Sequence, residues 1–547
     1  MKIFKNIKQV VALLALPLLF NACNDYIEEE FYSGVTSENF LNEDTADQLI
    51  VGVYAATRAA YNNHSYRYAG TDVFTVQSEI FSVSSENDYT SFNAPETNGL
   101  WTTNYQVIAK ANTAINRYEN QINWSAGKQT EKAYGIAQAR ALRAFAYYNL
   151  VQQYGGVPLE LVEPLSIRND YTRETEEAIY KVVIEELEAA IPNLIDAPET
   201  GRFSKRAAQH LLSEVYLTRA YKTYALATDF QTAANLAVQA IGTYDIRSQS
   251  FARVFDYDNQ VNPEVLFAAQ WDGAIDADRG NNMHSLFMTA VQVLPGMSVI
   301  NKYGKPGNNL MPTPYFYSLF AANDTREDVT VHRVLYADKT DIVGTDNIVA
   351  GDTLVYFPKQ ALDITKLTDK LNRYWVYQPD QYLYGRPDDI PGVNYLYSKN
   401  NLFTNFPIFK KFDDEIFFEE GSGARDAFIF RVAETHLLAA EAFLGAGNAT
   451  QALFHINRVR ERATGVADYY TTINLDAILV ERALELAGEE NRWAVLKRMG
   501  KLEERIELYN PHVIDHGDFD ATKHLLRPIP TREIELSPTT MTQNPKY

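Results

Sequence analysis

One cysteine in 547 residues cannot form a disulfide within the chain or build a multi-cysteine metal site. Lys and Arg number 50 against 70 Asp and Glu, a net charge of −20. A surface that acidic repels phosphate backbones and argues against nucleic acid as a partner. Beyond the first residues no run of 18 apolar residues occurs, so no later segment reads as a membrane-spanning helix. There is no His-Glu-x-x-His, no Gly-x-Ser-x-Gly and no complete P-loop. What remains is globular: 46% hydrophobic and 22% charged residues exclude a disordered chain, a collagen and a multi-span membrane protein. Tyrosine is abundant, at 35 residues, and each joins a flat apolar face to a polar tip.

Residues 1–22 read as an export signal. Lys2, Lys5 and Lys8 form a positive start, followed by the apolar run Val10 to Phe20. Such a run fits the 7–15 residues typical of a signal core and falls short of the roughly 20 that span a bilayer. Cys23 follows Ala22 directly, a placement that resembles a bacterial lipobox, in which the cysteine is acylated and becomes the mature N-terminus. Cys23 is therefore the expected lipidation site. One acyl chain holds a protein marginally and several hold it firmly, at about 0.8 kcal/mol per CH₂. Residues 23–35 read as an acidic tether, with Asp25 and Glu28-Glu29-Glu30. That run resembles the signal that sends lipoproteins of the Bacteroidetes to the outer face of the outer membrane.

From residue 36 to 245 the pattern is helical. Ala141, Leu142, Phe145 and Tyr148 make one apolar stripe, predicting a helix over Tyr134–Tyr154 that Gly155-Gly156 ends and Pro158 keeps from restarting. Further helices are expected from Thr175 and Ser204 as N-caps, and over about Phe230 to Ile241. Between 246 and 426 helical periodicity fades. Short β-like runs, Val265-Leu266-Phe267 and Leu354-Val355-Tyr356-Phe357, alternate with loops rich in Gly, Pro, Asn and Asp. Helices return over 427–547, expected at Phe430–Leu444, Ala449–Arg462 and Leu475–Met499. The pairs Leu211 to Ile241 and Leu437 to Val459 have the shape of degenerate tetratricopeptide units. The expected fold is mainly α: a tetratricopeptide-like helical repeat scaffold with a large irregular, loop-rich insertion containing short strands.

Several blocks, in this order, resemble the SusD/RagB family of nutrient-binding outer-membrane lipoproteins. They are Ala139-Arg140-Ala141-Leu142-Arg143-Ala144-Phe145 through Tyr154-Gly155-Gly156-Val157-Pro158-Leu159; Gly201-Arg202-Phe203-Ser204-Lys205-Arg206-Ala207-Ala208; and Phe430-Arg431-Val432-Ala433-Glu434 through Ala439-Ala440-Glu441-Ala442. Ile456-Asn457-Arg458-Val459-Arg460, Glu481-Arg482-Ala483-Leu484-Glu485-Leu486 to Arg492-Trp493, Pro528-Ile529-Pro530 and Gln543-Asn544-Pro545 complete the set. The resemblance implies a non-catalytic, lipid-anchored protein on the outer-membrane surface. It would bind oligosaccharide or polysaccharide and deliver it to a SusC-like TonB-dependent transporter that meets the helical face. A surface glycoside hydrolase, a ligandless scaffold and a binder of peptides or glycoproteins are the alternatives.

Arg140, Arg143, Arg431, Glu434, Glu441, Arg482, Glu485 and Arg492 sit in helix motifs and are expected to pair across helices rather than bind ligand. Trp101 and Trp493 are expected in the core. A sugar offers C–H groups to an aromatic face and hydroxyls to Asn, Gln, Asp or Arg. Two loop regions supply such residues. The first contains Asp72, Phe74, Gln77, Asn87, Tyr89, Phe92 and Asn93; the second contains Trp271, Asn281, Asn282, Tyr374, Trp375 and Tyr377. Trp375, flanked by two tyrosines, is the expected centre of a stacking platform. No cofactor is expected. Oxygen-rich loops at Asp256-Tyr257-Asp258 and Asp272 to Asp278 are the positions that could take Ca²⁺, and His512 and His516 with Asp515, Asp518 and Asp520 could ligate a metal.

Overall fold

The computed structural model describes residues 42–547 except 63–64, 77–83, 93–94, 167, 198–199, 272–279, 289–290, 300, 304–309, 344–345, 364–374, 380–405 and 417–421. The signal, Cys23 and the tether lie outside the described residues. The longer helices are α1 (Asp47–Tyr61), α2 (Pro95–Asn120), α3 (Gln129–Tyr154), α4 (Glu176–Ala190), α5 (Lys205–Arg219), α6 (Asp229–Ile241), α7 (Val432–Gly445), α8 (Ala449–Thr464), α9 (Leu475–Leu486), α10 (Arg492–Arg498) and α11 (Leu502–Tyr509).

Each helix from α1 to α8 packs on the next, with α6 meeting α7 directly although an insertion of 190 residues separates them (242–431). Small residues make this possible. Ala137, Ala139, Ala141, Ala144 and Ala146 are buried along α3, and a Cβ at Gly135 would meet the Tyr118 ring of α2 at 2.2 Å. The caps are those the sequence predicts: Thr175 accepts from the Ala178 N–H at 3.2 Å and Ser204 from the Ala207 N–H at 2.9 Å. Gly155 ends α3 at φ +70°. Chain neighbours that stack as helical pairs bury one continuous core, in which Trp101 and Trp493 both lie.

Short strands complete the fold: β1 (Phe74–Val76), between α1 and α2, and, in the insertion, β2 (Val265–Ala269), β3 (Leu310–Pro312), β4 (Val334–Tyr336), β5 (Asp341–Val343), β6 (Asp346–Ile348), β7 (Thr353–Tyr356), β8 (Trp375–Val376) and β9 (Ala427–Arg431). β1 pairs with β3 and β2 with β9, both antiparallel; β7 lies between antiparallel β4 and parallel β8; β5 and β6 form a hairpin. The β2–β9 pair joins the two ends of the insertion. A second core, built on Phe74, Phe287, Phe316, Phe409 and Phe412, fills it.

Two helix expectations are corrected. Phe430 belongs to β9, and its helix starts at Val432. The continuous apolar run over 427–430, buried throughout, serves a strand paired with β2. The helix expected over Leu475–Met499 breaks after Leu486 at Gly488, which has φ +77° and sits where a Cβ would come 2.5 Å from the Phe412 ring. The break turns Glu489 and Glu490 inward.

Those carboxylates enter a buried network of ions. Arg431 reaches Glu264 at 2.6 Å and Glu489 at 2.5 Å; Arg326 reaches Asp324 and Glu481, both at 2.7 Å, and Glu485 at 3.2 Å. Arg460 and Arg462 add bonds to Glu481 and Glu264, and Lys411 pairs with Glu489. Nearby, Arg482 binds Glu434 and Glu490, and Arg498 binds Glu441. Arg143 binds Glu186 at 2.5 Å and Asn112 at 2.6 Å, while Arg140 makes a looser pair with Glu119. The helix-motif charges thus pair internally, as expected. Because Glu264, Asp324, Arg326 and Lys411 come from the insertion, the network bolts it to α7–α9. Removing one partner of such a pair typically costs about 3–5 kcal/mol.

Candidate functional site

A cleft of about 700 Å³ opens on the insertion, within the range of about 300–1,000 Å³ usual for ligand sites. Its walls come from Ala252, 255–257, 301–302, Val329, Asp338, 410–411, 413–415 and Arg425. Ser250 caps the short helix Phe251–Phe255 and delivers Asp256 and Tyr257 to one wall. Opposite, Asp414 folds its own loop: it accepts the Ile416 N–H at 2.9 Å and the Arg425 N–H at 2.7 Å. Gly423 is needed for this, since a Cβ there would lie 2.2 Å from Asp414 Oδ2. Asn301 sets the third wall, accepting the Tyr303 N–H and donating to the Ser298 carbonyl, both at 2.9 Å. Asp338 accepts the Ser298 N–H at 2.7 Å.

The electrostatics are mixed and close. His332 Nε2 lies 2.8 Å from Asp413 Oδ2, while Asp413 Oδ1 is buried without a partner among the described residues. Lys302 stands over the rings of Tyr303 and Tyr336, at 5.0 and 5.4 Å. Lys410 donates to the Asp328 carbonyl, and Arg425 donates to the carbonyls of Asp413 and Phe255. Burial pushes the Asp414 carboxyl up and the Arg425 guanidinium down. It also lowers Lys411, behind the wall, to about 8 and raises the half-buried Tyr257 to about 12. Chemically, the cleft offers carboxylates that accept from hydroxyls, ammonium groups that donate to them, and the Tyr257 ring as an apolar face.

The residues expected from the sequence lie elsewhere. Asp72 is fully buried. Burial would raise its carboxyl, but Arg492 at 2.7 and 2.8 Å and Arg505 at 3.2 Å hold it below the ordinary range. Phe74 packs among Tyr68, Phe287 and Phe409. Asn87 accepts the Gly70 N–H at 2.8 Å, and Tyr89, at φ +65°, donates to the Gly70 carbonyl at 2.5 Å. Phe92 packs edge-on to Tyr89 and beneath Arg527. In the second region Trp271 is 7% exposed, its backbone N–H donating to Asp426. Asn281 holds the Arg425 carbonyl and the Met283 N–H. Tyr377 stacks on Phe357 at 5.7 Å. Asn282 is half-exposed, with a buried Oδ1 that lacks a partner among the described residues.

These side chains, Asn282 apart, form the interior of their loops, so the structure does not present them as the exposed platform their residue types suggest. Gln77, Asn93 and Tyr374 lie outside the described residues, as does the side chain of Trp375, whose backbone pairs with β7. Of the cleft residues, the sequence reading singled out only Asp256 and Tyr257, and then as a cation loop. Asp256 and Asp258 instead pair with Arg253, at 3.1 and 2.6 Å. His512 packs its Nδ1 against Thr75 Oγ1 at 2.8 Å. Among the described residues no group of three or more His, Cys, Asp or Glu could hold a metal ion, and no helix is long and apolar enough to cross a membrane. The run Lys410-Lys411-Phe412-Asp413-Asp414-Glu415 was the available signal: a dense block of both charges around one ring.

Residues 263–547, which include most of the cleft, match the profile of the SusD family. Residues 25–217 match a second profile, described as starch-binding and associating with the outer membrane. A curated relative, SusD-like protein P2 of Formosa agariphila, is 26% identical over 84% of this chain and 83% of its own length. Among solved structures, a laminarin-binding SusD-like protein is 23% identical, covering 92% of this chain and 100% of its own at a TM-score of 0.66. Surface glycan-binding protein A from Bacteroides thetaiotaomicron, in complex with laminarihexaose, is 18% identical, covering 92% and 99% at a TM-score of 0.67. These structures share the fold.

Proposed function

The chain belongs to the SusD family, and from that premise we propose that it is a cell-surface glycan-binding lipoprotein. It captures oligosaccharide in the charged cleft and delivers it to a TonB-dependent outer-membrane transporter, breaking no bond itself. The observation that carries this reading is the family match over the segment that builds most of the cleft. The relatives that bind laminarin and laminarihexaose make a glucan the first ligand to try. Acylated Cys23 holds the protein at the outer face of the membrane, the tether frees the folded part, and the helical face meets the transporter.

In the cleft, Tyr257 packs on a ring face while Asp256, Asp338, Asp413 and Lys302 bond hydroxyls. Charges of both signs also suit a peptide or glycoprotein, the second reading. Laminarihexaose and a panel of host and plant polysaccharides are titrated into the protein and into Tyr257→Ala. The variant is expected to bind its best glycan at least tenfold more weakly with an unchanged unfolding transition. Equal affinity removes the cleft from the account, and release of reducing ends by the pure protein replaces binding with hydrolysis.

A further inference from the structure

A second, smaller groove of about 290 Å³ lies on the helical side, between α1, the turn 200–202 and the end of β2. Tyr54 and Arg58, one turn apart on α1, form one wall; Gly201 and Arg202 form another; Phe267 to Gln270 line the floor. Among the described residues two arginines line it and no carboxylate does, in a chain whose net charge is −20. Each guanidinium is backed by a ring: Arg58 lies 5.8 Å from the centre of Trp271 and Arg202 lies 5.4 Å from the centre of Tyr54. Stacking of this kind holds the planar fork in a fixed direction.

The donors are incompletely used. Arg202 Nη2 bonds Asp47 at 2.6 Å, but its Nη1 is buried with no acceptor among the described residues. Arg58 Nη1 donates to the Gln270 carbonyl at 3.2 Å, and among the described residues no carboxylate pairs with it. Two described carboxylates nearby stand outside the lining. Asp47 is exposed, and Asp426 lies behind Gln270, accepting from its Nε2 at 3.4 Å. That contact leaves Gln270 Oε1 over Gly201, where a Cβ would come within 2.2 Å of it; Gly201 also has φ +81°. Glycine at 201 is therefore what lets the amide pack there.

We infer that this groove is a subsite for an oxyanion carried on a sugar, either a uronate carboxylate or a sulfate ester. Its volume suits one ring with its anionic group. The apolar floor from Phe267 to Ala269 takes the ring face, and the two forks take the oxygens, as planar guanidinium groups do with carboxylate and sulfate geometry. The inference rests on the saccharide reading for the ring, and on the groove alone for the anion.

The test titrates D-glucuronate, glucose 6-sulfate, D-glucose and sodium sulfate into the protein at low salt. The expected result is that both anionic sugars bind at least tenfold more tightly than glucose. Arg58→Gln and Arg202→Gln should each cost at least tenfold while leaving the circular dichroism spectrum and laminarihexaose affinity unchanged. Glucuronate that binds no better than glucose, or equally to both variants, overturns the inference. So does sulfate binding that neither anionic sugar displaces, since that marks a bare-anion site. If the anionic sugars bind through the arginines while no neutral glycan binds the cleft, the cleft reading falls and this one stands.

Discussion

Replacing Glu485 by glutamine should destabilise the protein by about 3 kcal/mol at neutral pH, and by much less near pH 2. The carboxylate is fully buried and accepts from Arg326 and Arg431, each at 3.2 Å, and from Arg462. Burial would raise its pKa, but Arg462, Arg431 and Arg326 outweigh burial and bring it from 4.5 to about 2. At about 1.36 kcal/mol per tenfold change in proton affinity, that difference is worth about 3 kcal/mol. A second route gives a similar figure: removing one partner of a buried ion cluster typically costs about 3–5 kcal/mol. The sign follows from the lowered value. The stabilisation is complete above the unfolded carboxyl's range, near 4.5, and drains away as pH falls toward 2. Urea unfolding followed by tryptophan fluorescence, at pH 7 and again at the lowest pH where both proteins fold, measures the gap. A gap below 1 kcal/mol at pH 7, or one that does not shrink in acid, refutes the reasoning, because either result means the three arginines do not depend on this charge.

Other outcomes are expected. Gly423→Ala places a methyl 2.2 Å from Asp414 Oδ2. It should displace that carboxylate from the Arg425 N–H, cost about 1–3 kcal/mol by overpacking and weaken glycan binding; an unaltered titration would show that the Asp414 loop is not part of the site. Cys23→Ala should release the protein from the membrane fraction with its solution affinity intact, and retention in cells lacking the transporter would remove the lipid anchor from the account.

The scaffold was largely legible because its determinants are local. Thr175 and Ser204 announce their helices, Gly155 and Pro158 stop one, and the alanine spacing of α3 specifies a close-packed face. The break at Gly488 leaves no local mark, because Leu475–Met499 keeps an apolar rhythm across it; the reason for the break is the Phe412 ring, 76 positions away in sequence. The cleft was hidden for the same physical reason. Arg425 is fixed by the Phe255 carbonyl, and Asp413 faces His332, contacts that no periodicity records. The aromatic loops misled in the opposite direction. Tyr89, Phe92 and Tyr377 have the composition of a sugar platform, but a ring that packs its own loop and a ring that packs a ligand are the same residue in sequence. Only neighbours such as Phe519, His524 and Phe357 decide between them.

The most direct measurement is amide hydrogen exchange of the protein with and without a saturating oligosaccharide. The account predicts slowed exchange around Asp256-Tyr257, Asn301-Lys302 and Lys410 to Glu415, with the helices α3 to α6 unchanged. Protection confined to those helices, with none in the cleft, would contradict it.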